Sequence, residues 1–137
     1  MAQYDDCIVF LLAKAYQKAH GCLKKRLLAH GLTPIQHLIL EALWDEEGLS
    51  ARDIGKRLLL DGATLSGVLD RMNESGWIIK ETDSEDKRIL RIHLTKKSKG
   101  LKNSLMGERK QANEEILRDL TLEEKIIIKR LLRDVQD

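Results

Sequence analysis

The residue types most able to do chemistry in this 137-residue sequence are thiols and imidazoles. The cysteines are Cys7 and Cys22, and the histidines are His20, His30, His37 and His93. These residues have neither the spacing of a His-Glu-x-x-His zinc motif nor that of paired Cys-x-x-Cys ligands. The sequence also lacks a glycine-rich phosphate loop and a nucleophile with a neighbouring base. We therefore expect no metal, no cofactor and no enzyme activity.

The two cysteines leave a redox hypothesis open. On one helix they would lie about 22 Å apart, too far for a disulfide within the chain. We expect Cys7 to be buried and inert, with oxidation sensing at Cys7 as the alternative. Two cysteines without a disulfide framework fit a reducing cytosol.

Positive charge is concentrated in the middle of the chain. The whole sequence has a net charge of only +2, but residues 50–102 carry 12 positive and 8 negative side chains, a net charge of +4. This distribution is typical of a segment that binds a polyanion, and a solvated basic surface is the alternative. The middle segment contains Asp86-Lys87-Arg88, in which a carboxylate lies two residues before a guanidinium.

In an extended segment, Asp86 and Arg88 would project from the same side, so the carboxylate could hold the guanidinium in one orientation. An arginine aimed in this way suits a narrow, electronegative DNA minor groove, and Lys87 is a further candidate DNA contact. A surface ion pair in a turn is the alternative, and it would contribute little stability.

Capping residues and apolar periodicity predict six helices and one β-hairpin, an order typical of a winged helix-turn-helix. The predicted fold class is mainly α with a small β-hairpin. The expected helices are Asp5–His30 closed by Gly31, Thr33 to Trp44 with Gly48 as C-cap, Ser50–Leu58, Asp61–Gly76, Thr95 to about Asp119, and a last one capped by Thr121. The expected strands are Trp77–Thr82 and Arg88–Leu94, joined by a loop at residues 83–87.

The helix after Asp61 has the two faces expected of a DNA-recognition helix. Apolar residues at i, i+3, i+4 and i+7 should pack inward, and these are Leu65, Val68, Leu69 and Met72. The opposite face presents Ala63, Ser66, Gly67, Asp70 and Glu74, with Thr64 and Arg71 at its edge. Small side chains allow close approach to base edges, and hydroxyls bind bases or phosphates. Because Asp70 and Glu74 would be repelled by phosphate, we expect the second half of the helix to lift away from DNA.

These motifs together resemble the MarR family of bacterial winged-helix transcription regulators. The resemblance runs from about Cys7 to Val135 and is strongest in Leu32–Gln36, Leu69–Ile78, Asp86–Arg88 and Leu94–Gly100. It implies a homodimer that binds palindromic double-stranded DNA. By position, Thr64, Ser66, Gly67 and Arg71 fall on the recognition helix and Arg88 on the wing tip, with Asp86 orienting it. In the peroxide-sensing branch of the family, the reactive cysteine would fall at Val9, two residues from Cys7.

Dimerisation also follows from the residues at both ends of the chain. A helix over Asp5–His30 would be about 39 Å long, whereas a compact monomer of this size is only about 37 Å across. The consecutive apolar residues at 8–12 and 126–128 surround their helices, and one core cannot bury them all. We expect a single domain, residues 1–137, with a DNA-binding lobe at 33–95 and dimerisation segments at 4–31 and 96–137.

The expected function is sequence-specific DNA binding by a transcriptional regulator, as a repressor controlled by a small-molecule effector. Two alternatives are a winged-helix protein-interaction module without DNA binding and a cysteine redox-sensing regulator. The longest uncharged apolar run, Cys7–Ala13, is far shorter than the roughly 20 residues of a membrane span. With no signal-peptide pattern either, we expect a cytoplasmic protein.

Overall fold

The computed structural model describes residues 2–137, and these form seven α-helices and a two-stranded antiparallel sheet. The helices are α1 (Ile8–Leu28), α2 (Pro34–Asp45), α3 (Ala51–Leu58), α4 (Gly62–Glu74), α5 (Lys96–Gly100), α6 (Lys102–Ile116) and α7 (Leu122–Asp134), and the strands are β1 (Ile78–Thr82) and β2 (Leu90–Leu94). A 3-10 helix at Gln3–Asp6 precedes α1. The predicted fold class, mainly α with a small hairpin in a winged helix-turn-helix, is confirmed.

Side-chain caps begin the helices of the central region where the sequence predicts. The hydroxyl of Ser50 accepts a hydrogen bond from the backbone N–H of Asp53 at the start of α3. Thr33 and Gln36 form a reciprocal capping box before α2. Each cap satisfies backbone donors that the first helical turn would otherwise leave unpaired, so these boundaries follow from local sequence.

Several of the predicted helix boundaries are wrong. The first long helix begins at Ile8 and not at Asp5, because Asp5 belongs to the preceding 3-10 helix and the extended backbone of Cys7 separates the two helices. The second ends at Asp45 with Glu46 as C-cap, so Gly48, at φ 84°, belongs to the following turn. The helix predicted from Thr95 to about Asp119 is interrupted at Leu101, just after Gly100, a residue of low helix propensity, and ends at Ile116.

The hairpin is tied to the chain segment that precedes α3. β1 and β2 pair in register from Ile78 opposite Leu94 to Thr82 opposite Leu90. The second strand is shorter than predicted, since residues 83–89 form the loop. Ser50 pairs with Arg91 as an isolated bridge, and the backbone of Ile92 bonds to Leu49 and Gly48. The wing is therefore attached through β2 to the segment that precedes α3.

The chain divides into two compact units. One is Leu27–Gly107, and the other comprises the residues up to Arg26 together with Glu108–Asp137. The first unit contains the helix-turn-helix and wing and extends beyond the lobe predicted at 33–95. Its core is made of fully buried apolar side chains from α2, α3, α4 and the hairpin, which include Ile39, Leu40, Leu43, Ile54, Leu69, Met72, Trp77 and Ile92.

Leu59, in the turn between α3 and α4, has the left-handed backbone conformation, with φ 55°. Its side chain is 86% exposed, and the N–H of Leu60 reaches back to the carbonyl of Gly55, as in a Schellman motif. Glycine is usual at this position because a Cβ is strained there. We expect Leu59→Gly to raise the free energy of unfolding by about 1 kcal/mol, measured by urea denaturation at fixed protein concentration. An unchanged or lower value would contradict the strain.

Candidate nucleic-acid interface

The α4 helix has the two faces that the sequence predicts. Its inward residues Leu65, Val68, Leu69 and Met72 are buried. On the other side Ala63, Thr64, Ser66 and Arg71 are exposed, and Gly67 is half-buried. Small and hydroxyl side chains therefore cover the outer surface of the first half of the helix.

Thr64 also takes part in the hydrogen bonds that cap the start of α4. Its N–H and its hydroxyl both donate to the carboxylate of Asp61, each at 2.8 Å. These bonds lower the pKa of Asp61, so the cap stays ionised at neutral pH. The hydroxyl of Thr64 retains its acceptor lone pairs but has committed its proton, whereas Ser66 keeps both functions.

The side chain of Arg71 lies beside Gly67, one turn earlier in α4. A Cβ at Gly67 would lie 3.5 Å from Nη1 of Arg71, in ordinary contact, so the guanidinium extends over the surface of the glycine. The cation therefore lies along the outer face of α4, close to the small residues.

One of the two acidic residues in the second half of α4 is already paired with a cation. Asp70 forms an ion pair with Lys80 of β1. The sequence predicts repulsion between phosphate and Asp70, but the pairing with Lys80 largely cancels that charge. Only Glu74 remains as an uncompensated carboxylate on this face of the described chain. Lys80 was expected to be part of the basic excess, and its partner could not be identified from local sequence.

The C-terminal end of α4 is clamped by residues that begin α5. The hydroxyl of Thr95 donates to the carbonyl of Gly76 at 2.7 Å. The ammonium of Lys97 lies 3.2 Å from the carbonyl of Ser75 and 4.1 Å from the ring centroid of Trp77. A cation at a helix C-terminus is favourable because the helix dipole is negative there. Lys97 therefore stabilises the position of α4.

The wing tip presents a guanidinium held by a carboxylate. Nε and Nη2 of Arg88 each donate to one oxygen of Asp86 at 3.0 Å, and the backbone N–H of Arg88 also bonds to Asp86. These bonds hold the pKa of Asp86 below its usual value and raise the pKa of Arg88. The Arg88 side chain is nevertheless 90% exposed. Three of its five N–H groups remain available to a ligand.

The geometry of this pair differs from the predicted one. Asp86 and Arg88 lie in a tight turn closed by a bond from the N–H of Ile89 to the carbonyl of Asp86, and not in an extended segment. A turn brings residues i and i+2 together as an extended chain does, so the contact was predicted for the wrong backbone conformation.

Asp83 stabilises the wing loop through hydrogen bonds, and this role was not predicted from the sequence. One carboxylate oxygen accepts from the backbone N–H groups of Glu85 and Asp86, and the other from Nε of Arg91. These bonds hold the pKa of Asp83 below its usual value, first through the Asp86 N–H and then through Arg91. An aspartate that accepts hydrogen bonds from the second and third residues after it is a known turn signal. The bonds of Asp83 to the backbone of Glu85 and Asp86 could therefore have been predicted from the sequence.

The remaining cations of the middle segment divide into paired and unpaired groups. Lys87 is exposed beside Arg88 and, within residues 2–137, its side chain has no partner. Lys99 lies 3.6 Å from Glu47. Arg52 and Lys56 on α3 also have unpartnered, exposed side chains in the described chain.

The cysteines differ from expectation. Cys7 lies just before α1 and is exposed in the isolated subunit, so its predicted burial is wrong. The thiol of Cys22 lies 3.3 Å from a carboxylate oxygen of Glu115. Desolvation and this carboxylate raise the pKa of Cys22, which keeps the thiol protonated and weakly reactive.

The histidines lie apart. His37 is buried with Nε2 2.9 Å from Glu41, and His93 lies near Glu47 and Glu81. Across residues 2–137, histidines, cysteines and carboxylates form no group of three arranged to hold a metal ion. Over the same range, no helix has the length and apolar character needed to cross a bilayer.

Comparison with known proteins places this geometry in a family. The MarR family model matches residues 30–89. The transcriptional regulator TtmR of Methylorubrum extorquens is 42% identical over 71% of this chain, although the match spans only 48% of TtmR. The organic hydroperoxide resistance transcriptional regulator of Bacillus subtilis is 30% identical over 82% of this chain and 81% of its own length.

A solved structure agrees over the whole chain. Bordetella bronchiseptica BpsR, whose DNA binding is regulated by 6-hydroxynicotinic acid, superposes with a TM-score of 0.92 at 26% identity. The match covers 100% of this chain and 98% of that of BpsR. With a recognition helix, a wing arginine and relatives that match both in sequence and in fold, the chain belongs to the MarR family of helix-turn-helix transcriptional regulators.

Proposed function

We propose that this protein is a sequence-specific, double-stranded DNA-binding transcriptional regulator in which α4 enters a major groove and the wing an adjacent minor groove. The observation that carries this proposal is Arg88, held by two bonds to Asp86 at an exposed tip. An arginine whose orientation is fixed before binding loses little conformational entropy when it enters a narrow groove. Thr64, Ser66, Gly67, Arg71 and Lys87 are the other proposed contacts.

The active form in this proposal is a homodimer on palindromic DNA, acting in the cytoplasm. Apolar side chains at both ends of the chain are exposed in the single subunit, and these include Ile8, Val9, Leu11, Leu12, Leu122, Ile126, Ile127, Leu131, Leu132 and Val135. A patch of this extent is unusual on a monomer and would be covered by a second copy about a two-fold axis.

Repression relieved by a small-molecule effector is the proposed mode of control. BpsR, whose DNA binding responds to 6-hydroxynicotinic acid, supports an effector of the organic-acid type. Oxidation is the alternative, favoured by the exposure of Cys7 and by the hydroperoxide-resistance relative. If organic peroxide leaves operator binding unchanged, the redox alternative fails.

A protein-interaction module without DNA binding is less well supported. In the sequence, Arg88 and the basic middle segment argue against it, and the acidic residues on α4 and around the wing leave it open as an alternative. Asp70 is paired with Lys80, Asp83 with Arg91 and Asp86 with Arg88, so half of those six carboxylates are compensated.

The proposal is tested by selecting duplexes from a random pool and measuring their affinity as a function of salt. We expect a two-fold symmetric consensus, with affinity that falls steeply as salt rises because phosphate contacts release counterions. Recovery of no consensus, with equal weak binding of all duplexes, would contradict sequence-specific regulation.

A further inference from the structure

Two cations of α3 differ from their neighbours in having no partner. Arg57 lies 3.1 Å from Glu46 and 3.6 Å from Asp45, whereas Arg52 and Lys56 have no side-chain bond or ion pair within residues 2–137. Arg52 and Lys56 are one helical turn apart and so lie on the same face of α3, which Arg57 does not share. Because the side chains of Arg52 and Lys56 are exposed and unpaired, their charges are available to an external anion.

Both cations line a groove that α4 also lines. This groove, of about 540 Å³, is bounded by Arg52 and Lys56 of α3, by Leu65 and Ser66 of α4, and by Lys80 and Leu90 of the hairpin. The unpaired cations thus lie beside Ser66, a proposed DNA contact. Lys80 contributes no free charge there, because it is paired with Asp70.

Arg52 also lines a second groove, on the side of the wing. Its walls are Arg52 and Asp53 of α3 and the hairpin residues Asp86, Arg88 and Leu90, around a volume of about 730 Å³. Asp86 is already bonded to Arg88, so Asp53 is the carboxylate that faces this groove without such a partner. Arg52 therefore lies between the groove at the recognition helix and the groove at the wing arginine.

The sugar-phosphate backbone separates a major groove from the adjacent minor groove. A protein with a helix in one and a wing in the other must place that backbone between them. Cations that lie between α4 and the wing meet phosphates and not base edges. We propose that Arg52 and Lys56 bind the phosphate backbone of the DNA strand between the two grooves. This inference rests on the proposed function.

The test is the salt dependence of DNA affinity for Arg52→Ala and Lys56→Ala. Each substitution removes two cations from a dimer, so the slope of log K against log salt should become less steep by about 1.8. The ratio of wild-type to variant affinity should then grow about 3.5-fold for each halving of the salt concentration. Because phosphate contacts carry no sequence information, a random duplex should lose affinity by the same factor as the selected one.

The matched control is Arg57→Ala, on the same helix and with the same change of charge. Its slope should equal that of the wild type, because its guanidinium is bonded to two carboxylates. All three residues are outside the buried core, and circular dichroism checks that the variants are folded. A wild-type slope for both Arg52→Ala and Lys56→Ala, or an equal loss for Arg57→Ala, overturns the inference. Failure of the wild type to bind DNA overturns the proposed function instead.

Discussion

Replacing Arg88 by alanine is expected to lower operator affinity by about 1–3 kcal/mol, roughly 5- to 150-fold. The side chain is 90% exposed and is bonded to Asp86 on the wing, so its loss removes the inserted donors and leaves the core unchanged. The measurement is fluorescence anisotropy with a selected duplex at fixed salt. Unchanged affinity would favour the protein-interaction module.

Two further substitutions separate the effect of the orientation of the Arg88 guanidinium from the effect of its charge. Lysine keeps the charge but cannot make the bidentate bond to Asp86. If orientation matters, Arg88→Lys should lose nearly as much affinity as Arg88→Ala. Asp86→Ala releases the guanidinium and should weaken operator binding, although it also removes a negative charge near DNA. A gain of affinity in Asp86→Ala would mean that the carboxylate acts by repulsion and not by orientation.

Replacing Leu131 by glutamate is expected to convert the proposed dimer to a monomer and to lower operator affinity by about 100- to 10,000-fold. Leu131 is 47% exposed in the single subunit, on the apolar side of α7. A two-fold interface would bring two such carboxylates into an apolar contact, where burial of a charge is costly. Loss of the link between two half-sites removes an avidity of about 10²–10⁴.

The control for this substitution is Arg133→Gln, which makes the same change in net charge. Two residues along a helix turn by about 200°, so Arg133 points to the side of α7 opposite Leu131. Sedimentation should give twice 15.7 kDa for the wild type and for Arg133→Gln, and 15.7 kDa for Leu131→Glu. A wild-type monomer, or a Leu131→Glu dimer with full affinity, would contradict the proposed assembly.

Features that depend on neighbouring residues were predictable from the sequence. The caps at Thr33, Ser50 and Asp61 bond to backbone groups three residues away, so the starts of α2, α3 and α4 follow from short motifs. The inward face of α4 follows from its apolar period. The contact between Asp86 and Arg88 was also predicted, since these residues lie two positions apart.

Features that depend on tertiary neighbours were not predictable. The pairing of Asp70 with Lys80 joins α4 to β1, and that of Arg57 with Glu46 joins α3 to the end of α2. Charge counts treat every cation alike, so they could not separate the paired Arg57 from the unpaired Arg52. The exposure of Cys7 in the single subunit was missed because burial depends on tertiary neighbours, and Ile8 and Val9, just inside α1, are exposed as well.

The most direct test of the account is a hydroxyl-radical footprint of the protein on a selected duplex, compared with the footprint of Arg88→Ala. The account predicts two protected half-sites about 10–10.5 base pairs apart, centre to centre. It also predicts flanking minor-groove protection that disappears in Arg88→Ala while the half-sites remain. A single protected block, or flanking protection that Arg88→Ala retains, would contradict a symmetric pair of recognition helices with a wing arginine beside each.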